Sequence, residues 1–307
     1  MAEVEEKNLT PQADILHNQF GADGAEWKQS RAVIRTALSR TRISDTRVVH
    51  DNTAKLIAAF AAAGENTVDV LPLLLEHTMR TTTQFLGLQT SASTSQDQQN
   101  FMEAMEICSN GIITRLILGG FYWIYNSPAF RSACTHVRGG VHIAVQSALT
   151  RTAKAATTYS TTQDKDQDHQ EQLNLLDDFA LQTRDEERLA SLASDILLAG
   201  RDTTAALLSW LISYLARHPA AYARLRHAVL RDFGPSAGDE YMSFEQLKSC
   251  QYLQWCMKET LRLSPSVALG FMTASVDTTL PSGGGLKGEG PIFVQKVCRV
   301  EGKMWEL

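Results

Sequence analysis

The sequence lacks the features that would place it among nucleic-acid-binding, disulfide-rich or secreted proteins. Its 29 lysines and arginines against 34 aspartates and glutamates give a net charge of −5 and leave no broad basic surface for nucleic acid. The five cysteines are odd in number and scattered, which disfavours a disulfide framework or a zinc site and favours a reducing compartment. The first residues lack the basic-then-apolar pattern of a signal peptide.

No apolar run reaches the roughly 20 residues that cross a bilayer. The nearest, residues 111–125, is interrupted by Arg115. We predict a buried helix followed by a loop there, and contact with a membrane surface is the alternative. With 44% hydrophobic and 21% charged residues in 307, the remaining class is an ordinary globular protein of one or two domains.

Apolar residues recur at helical spacing through most of the chain. The predicted helices cover residues 24–39, 44–63, 67–86, 98–118, 129–154, 185–217 and 250–263, with another from Pro219 to Gly234 and a short one after the capping box of Ser243 and Gln246. Polar loops are predicted at 91–100 and 157–172. Two strands, 271–280 and 291–294, are expected to be joined by the glycine-rich segment 281–290.

The polar segment 157–172 contains three aspartates at alternate positions, Asp164, Asp166 and Asp168, as a calcium loop does. His169 stands where the turn glycine of such a loop belongs, and Leu175 where its closing glutamate belongs. A metal site is therefore disfavoured here.

The most informative segment is 199–204, Ala-Gly-Arg-Asp-Thr-Thr, in the middle of the long helix 185–217. A glycine inside a helix costs about 1 kcal/mol relative to alanine, and the aspartate and threonines weaken the helix further. These residues lower the stability of the helix at one point, and the missing side chain of Gly200 would leave a gap there for a ligand. Asp202 beside Thr203 supplies an acid next to a hydroxyl for moving protons.

Two other pairs share a helix face with the spacing of interacting side chains. Glu259 and Arg262 can form an ion pair, which by itself is common on solvent-facing helices. Trp27 and Arg31 could together donate hydrogen bonds to a carboxylate, and the alternative is a surface cation–π pair.

These three motifs, in this order and spacing, resemble the cytochrome P-450 family of haem-thiolate monooxygenases over about residues 15–296. The similarity extends to fungal alkane and fatty-acid hydroxylases through segments 198–204, 216–219 and 277–284. The resemblance implies a mainly α fold, a partial cytochrome P-450 fold from helix C to helix K with a small β element at the C-terminus. Residues 1–14 and 297–307 are expected to be divergent ends.

The resemblance also implies a role for each motif. Trp27 and Arg31 would hold a haem propionate, and Ala199 and Gly200 would border the haem, with room for dioxygen at Gly200. The implied catalytic residues are Thr203, which would hold the oxygen ligand and its water, and Asp202, which would supply protons. Glu259 and Arg262 would support the proximal side of the core, and the implied substrate-lining residues are Leu197, Val267, Ala268 and Leu269.

Two departures from the family pattern matter. The family usually has a basic residue near the position of Met272. The proximal cysteine loop, whose thiolate favours O–O cleavage, is absent, and Cys298 lacks the glycine and arginine context of such a loop. We therefore predict that neither Cys298 nor any other residue of this chain is a metal ligand. The chain is expected to be truncated at both ends and to be inactive or poorly folded alone.

For a complete relative, the resemblance implies hydroxylation of a hydrophobic substrate such as a fatty acid, an alkane or a secondary metabolite. The cofactor would be haem b, and the reaction would use O2 and electrons from NADPH through NADPH–cytochrome P-450 reductase at the endoplasmic reticulum membrane. This chain, without an anchor, is expected to be a cytoplasmic monomer. The alternative is a non-catalytic helical binding protein on the same scaffold, which would have little need of the Asp202–Thr203 pair.

Overall fold

Helices make up most of the computed structural model. The described residues are 24–38, 46–64, 66–88, 95–161, 174–235, 241–274, 276–284, 289–296 and 299–303. The helices are α1 (Gly24–Ala37), α2 (Arg47–Ala62), α3 (Val70–Leu86), α4 (Ser95–Leu118), α5 (Pro128–Thr161), α6 (Leu175–Gln182), α7 (Glu186–Arg217), α8 (Pro219–Phe233), α9 (Phe244–Ser249) and α10 (Gln251–Leu263), with a 3-10 helix at Gly119–Ile124. The mainly α fold class predicted from the sequence is confirmed.

The central helix α7 packs against α3, α5, α6, α8 and α10. The Asp185 side chain caps its first turn by accepting from the backbone N–H of Arg188 at 3.2 Å. Its first half supplies fully buried leucines to the core, Leu189, Leu192 and Leu197. The core therefore surrounds the N-terminal half of α7, and the segment 199–204 lies where this burial begins to decrease.

The neighbouring helix α3 ends at Leu86, as the sequence predicts, and begins at Val70, three residues after the predicted start. The Asp69 side chain accepts a hydrogen bond from the backbone N–H of Leu71 at 3.2 Å. Gly87 ends the helix in the left-handed conformation at φ 78°, which glycine adopts without the steric cost of a Cβ. These two ends fix the segment of α3 that faces α7.

Helix α6 is a short helix that the sequence reading did not predict. A capping box between Asn174 and Asp177 closes its first turn, and Phe179 is among the fully buried side chains. The Arg151 guanidinium donates to the buried carboxylate of Asp177 at 2.8 Å, so its charge is paired within the core. Eight residues are too few for helical periodicity to be recognised against polar flanks, although the capping box was a usable signal.

Helices α4 and α5 pack together through small and apolar side chains, including two buried thiols. The Sγ atoms of Cys108 and Cys134 lie 3.6 Å apart in a hydrogen bond, and both residues are free cysteines. That hydrogen bond lowers the pKa of the Cys134 thiol. The pair acts as a small apolar contact between the two helices.

The β structure consists of two antiparallel pairs. Strand β1 (Leu269–Thr273) pairs with β4 (Arg299–Lys303), and β2 (Thr278–Gly284) pairs with β3 (Gly290–Val294), with an irregularity between Leu280 and Gly284. A single strand at 271–280 was predicted, so that expectation is wrong: residues 274–277 separate two strands that pair with different partners. Part of the expected divergent tail is therefore strand β4.

Other expected boundaries also change. Helix α4 begins at Ser95, within the predicted loop 91–100, and α5 continues to Thr161, into the predicted linker. Helices at 24–39, 44–63, 67–86, 185–217, 219–234 and 250–263 agree with the structure to within a few residues. Asp164, Asp166 and Asp168, Cys298 and residues 1–14 lie outside the described residues.

Candidate active site on the central helix

Arg201 and Asp202 form an ion pair in the middle of α7. The Arg201 Nη1 atom donates to Asp202 Oδ1 at 2.7 Å, and the two side chains are 5% and 33% exposed. Arg201 Nε is also buried and has no hydrogen-bond partner among the described residues. Sequence reasoning assigned no role to this arginine. The structure makes it a buried cation that holds the Asp202 carboxylate in place while leaving it accessible to solvent.

Thr203 hydrogen-bonds through both its side chain and its backbone. Its Oγ1 donates to the carbonyl oxygen of Ala199, one turn earlier, at 2.7 Å. Its own carbonyl oxygen accepts from the hydroxyl of Ser266 at 2.8 Å. Side-chain bonding to the preceding turn competes with the helix ladder and tends to bend a helix. The weakened point predicted from the sequence is therefore a specific hydrogen-bonded turn.

In the direction that a Cβ would take, Gly200 faces a side chain of another helix. A Cβ on Gly200 would lie 2.6 Å from Thr82 Oγ1 and 2.9 Å from Thr82 Cγ2, on the facing helix α3. The absent side chain thus allows close approach of the two helices, and room for a ligand beside Gly200 stays a prediction. No sequence signal linked Thr82 to this position.

The segment after α10 reaches α7 through two hydroxyl contacts. Ser266 donates to the Thr203 carbonyl, and the hydroxyl oxygens of Tyr214 and Ser264 lie 2.7 Å apart. Val267 and Ala268, both exposed, follow directly, so these predicted substrate-lining residues lie next in the chain to a residue that contacts the site. Leu269 begins β1.

Leu197, the remaining predicted substrate-lining residue, does not lie beside Val267 and Ala268 in the chain and is not exposed. It is fully buried in the hydrophobic core, together with residues of α3, α4, α5 and α6. Its side chain stabilises the fold around the N-terminal half of α7. The prediction that it lines the substrate is therefore corrected.

Trp27 and Arg31 lie on the exposed side of α1. The Arg31 guanidinium carbon is 5.2 Å from the centre of the Trp27 ring, which is the surface cation–π arrangement that the sequence left as the alternative. Ile34 of the same helix is buried in the core that contains Leu197. Among the described residues no hydrogen bond or ion pair links Trp27 or Arg31 to the Asp202–Thr203 pair.

Glu259 and Arg262 pair as predicted from their spacing on α10. Arg262 donates through Nε and Nη2 to the two carboxylate oxygens at 2.8 and 2.6 Å. These hydrogen bonds lower the pKa of Glu259 and raise the pKa of Arg262. Both side chains are more than half exposed, so in the described part of the chain the pair supports only its own helix.

The residues present can be compared with what a haem would need. Ala199 and Thr203 are half-buried on one face of α7, and Trp27 and Arg31 are exposed donors of the type that bind a carboxylate. No group of three or more metal-ligating side chains occurs in the described ranges, where Cys108, Cys134 and Cys250 are buried and Cys256 is half-buried. The described residues therefore include donors of the kind that a haem propionate and an oxygen ligand would need.

The end of α4 and the following 3-10 helix expose large apolar side chains. Ile117 is 79% exposed, Phe121 65% and Trp123 62%. The expectation of a buried segment at 111–125 is therefore wrong for these side chains, although Ile112 is buried. Within the described residues no helix is both long and apolar enough to cross a bilayer.

With this geometry established, comparison with known proteins defines the class. The sequence model of the family described as Cytochrome P-450 matches residues 6–282. The match covers most of the chain and includes all three motifs. The chain belongs to the cytochrome P-450 family.

Individual relatives narrow the similarity to fungal members. A cytochrome P-450 monooxygenase g430 from Fusarium sp is 34% identical over 295 residues, covering 90% of this chain and 51% of its own length. Cytochrome P-450 52A13 from Debaryomyces hansenii is 33% identical over 293 residues, covering 90% and 54%, and cytochrome P-450 52A1 from Candida tropicalis is 34% identical over 309 residues, covering 94% and 55%. The chain spans about half the length of the curated relatives it matches.

Proposed function

We propose that the complete protein is a monooxygenase that hydroxylates a hydrophobic substrate, such as a fatty acid, an alkane or a secondary metabolite. The observation that carries the proposal is the hydrogen bond from Thr203 Oγ1 to the Ala199 carbonyl, directly beside the partly exposed Asp202 carboxylate. Haem b, when bound, would supply dioxygen activation, with electrons from NADPH through NADPH–cytochrome P-450 reductase. The described residues would handle protons and position the ligands.

Asp202 and Thr203 would have different roles in proton delivery. Because Thr203 donates its hydroxyl hydrogen to Ala199, its oxygen lone pairs are left to accept a hydrogen bond from water or from a protonated ligand. Asp202, one-third exposed and held by Arg201, would be the group through which solvent reaches this turn. Protons would pass from solvent through Asp202 to the position next to the Thr203 oxygen.

The remaining motifs would bind and orient. The exposed indole and guanidinium of Trp27 and Arg31 are suited to hydrogen-bond a propionate. Val267, Ala268 and Leu269 would border an apolar substrate beside α7, since Ser266 attaches their segment to Thr203. Glu259 and Arg262 would stabilise the side opposite Thr203 once the rest of the protein covers them.

The test uses this chain joined to the regions of cytochrome P-450 52A13 that lie on both sides of the aligned part. The fusion should give a thiolate-type band in the carbon monoxide difference spectrum after reduction, whereas the 307-residue chain with added haem should give none. In the fusion, Thr203→Ala should lower product formed per NADPH consumed by tenfold or more, and Thr203→Ser should retain most of it. Unchanged coupling in Thr203→Ala would favour the non-catalytic binding protein.

We also propose that the exposed apolar surface of Ile117, Phe121 and Trp123 lies on a membrane, in keeping with an endoplasmic reticulum location for the complete protein. Aromatic and aliphatic side chains bind at the interfacial region of a bilayer without spanning it. Phosphatidylcholine vesicles should bind the chain, and Trp123→Ser should weaken binding. Trp255→Ser, which removes an equally exposed tryptophan from α10, should not.

A further inference from the structure

Helices α3, α4 and α5 border a cavity of about 540 Å³ that is open to solvent on one side and that no part of the proposed mechanism uses. This α3–α4–α5 cavity is lined by Met79, Leu88, Phe101, Met102 and Ile143, among others. It lies on a different face of α3 from the Gly200 contact: Thr82 contacts Gly200 of α7, whereas the adjacent Thr83, about 100° around the helix, lines the cavity. Its volume is within the range of small-molecule sites, about 300–1,000 Å³.

The lining combines apolar side chains with hydrogen-bonding groups at the edge. Thr83 and Thr135 donate their hydroxyl hydrogens to the carbonyls of Met79 and Arg131 at 2.9 and 3.0 Å, so their oxygens can still accept a hydrogen bond. Gln98 and His136 add groups that can donate or accept. A ligand with one hydroxyl or carbonyl group would find partners here.

The charged groups of the cavity are already engaged within the protein. The Arg80 guanidinium pairs with Glu76 at 2.6 Å, and Asp97 takes part in an interaction within the chain. A charged ligand would have to compete with these interactions for a counter-charge, whereas an uncharged ligand would not. This lining favours an uncharged molecule.

Two adjacent glycines of α5 shape the cavity wall, and each weakens the helix by about 1 kcal/mol relative to alanine. Gly140 has a packing reason, because a Cβ there would lie 2.9 Å from the Phe101 ring. Gly139 has none: a Cβ there would meet nothing within 4 Å, and the residue lines the cavity. The cavity wall at Gly139 is therefore open, with room for a larger side chain.

We propose that the α3–α4–α5 cavity binds an uncharged, mainly apolar small molecule with a single hydrogen-bonding oxygen. This ligand is separate from any substrate beside α7, and its binding does not depend on the monooxygenase proposal.

The test is a titration of the 307-residue chain, labelled with ¹³C-methyl methionine, with 1-decanol. The methyl signals of Met79 and Met102 should shift saturably, whereas the signal of Met257 on α10 should not. Decanoate and decylammonium, of the same chain length, should bind at least tenfold more weakly. No saturable shift, equal shifts at Met257, or equal binding of a charged probe would overturn the proposal.

Variants locate the bound probe. Gly139→Phe should abolish the shifts by filling the cavity, and Gly139→Ala should preserve them while raising the melting temperature. If Gly139→Phe does not fold, Ile143→Asp at the exposed edge replaces it, with Ile57→Asp on α2, which is equally exposed, as the matched control. The Ile143 variant should lose at least tenfold in affinity and the Ile57 variant should not. Retained binding in Gly139→Phe or Ile143→Asp would contradict the proposed site.

Discussion

The hydroxyl oxygen of Thr82 lies 2.6 Å from the position that a Cβ would take on Gly200. The contact joins α3 to the segment of α7 that carries Asp202 and Thr203. Because threonine is β-branched, its side chain has little rotamer freedom to move away. The glycine therefore sets the separation of the two helices at the candidate active site.

The first prediction follows from this contact. Alanine is favoured over glycine inside a helix by about 1 kcal/mol, but overpacking a tight contact costs about 1–3 kcal/mol. We expect Gly200→Ala to lower the free energy of unfolding by about 1 kcal/mol in the natural sequence. In a Thr82→Ala background, where the two close atoms are gone, the same change should raise it by about 1 kcal/mol.

The measurement is a double-mutant cycle by urea unfolding. The Thr82→Ala single variant provides the control for the loss of the threonine itself. If Gly200→Ala stabilised both backgrounds equally, the proposed contact would not exist in solution.

The second prediction concerns the buried arginine. Asp202→Asn removes the charge that pairs with Arg201, whose side chain is only 5% exposed. We expect a loss of about 1–3 kcal/mol in the free energy of unfolding, since an uncompensated buried cation is left. Arg201→Met should cost less, because the remaining carboxylate is partly solvated.

A matched control exists in α8. Arg231 and Asp232 are also neighbours in sequence with a 2.7 Å ion pair, but the Arg231 side chain is 65% exposed. Asp232→Asn should therefore leave the urea midpoint unchanged within error. Equal effects of Asp202→Asn and Asp232→Asn would refute a special role for burial at Arg201.

The third prediction tests whether Glu259 stabilises only its own helix or also the complete folded protein. Its hydrogen bonds from Arg262 lower its pKa, yet the pair is exposed. In the 307-residue chain, Glu259→Gln should not measurably change the melting temperature. In the fusion described above, where the resemblance gives the pair a supporting role, the same change should reduce haem incorporation at least tenfold.

Lys258→Gln, at an exposed neighbouring position on α10, serves as the control in both proteins. Haem content is read from absorbance per protein. A large loss of stability in the short chain would show that the pair already has a structural role there.

The fourth prediction is a pH dependence. Burial lowers the pKa of His77 from its usual 6.5, although a hydrogen bond with the Asn52 backbone opposes the shift. A histidine with a depressed folded-state pKa binds fewer protons folded than unfolded. Its contribution to stability is thus present above 6.5 and is lost as pH falls through 6.5 toward the lower folded value.

The melting temperature of the natural chain should therefore fall more between pH 7.5 and pH 5.5 than that of His77→Gln. His218→Gln, which changes an exposed histidine, should follow the natural chain. Parallel curves for all three proteins would show that His77 does not titrate with folding.

Most of the helices could be predicted because their apolar spacing is strictly local information. That spacing placed α3, α7 and α10 to within a few residues of their observed bounds. Helix α6 was not found, since its eight residues are stabilised by complete burial of side chains such as Phe179 and little by periodicity. Strand β1 was misjoined to β2 because pairing partners are distant in sequence.

For the candidate site, the sequence predicts which residue types occur and at what spacing, but not which of them contact one another in the fold. The sequence alone determined the Asp202–Thr203 pair, the Glu259–Arg262 and Trp27–Arg31 spacings and the family, because each depends on residues a few positions apart or on their order. Only the tertiary structure decided that Gly200 accommodates Thr82, that Leu197 is buried, that Arg201 is a buried cation, and that Ser266 contacts Thr203. Those four outcomes depend on which surface packs against which, and side-chain burial is a property of the packed helices together.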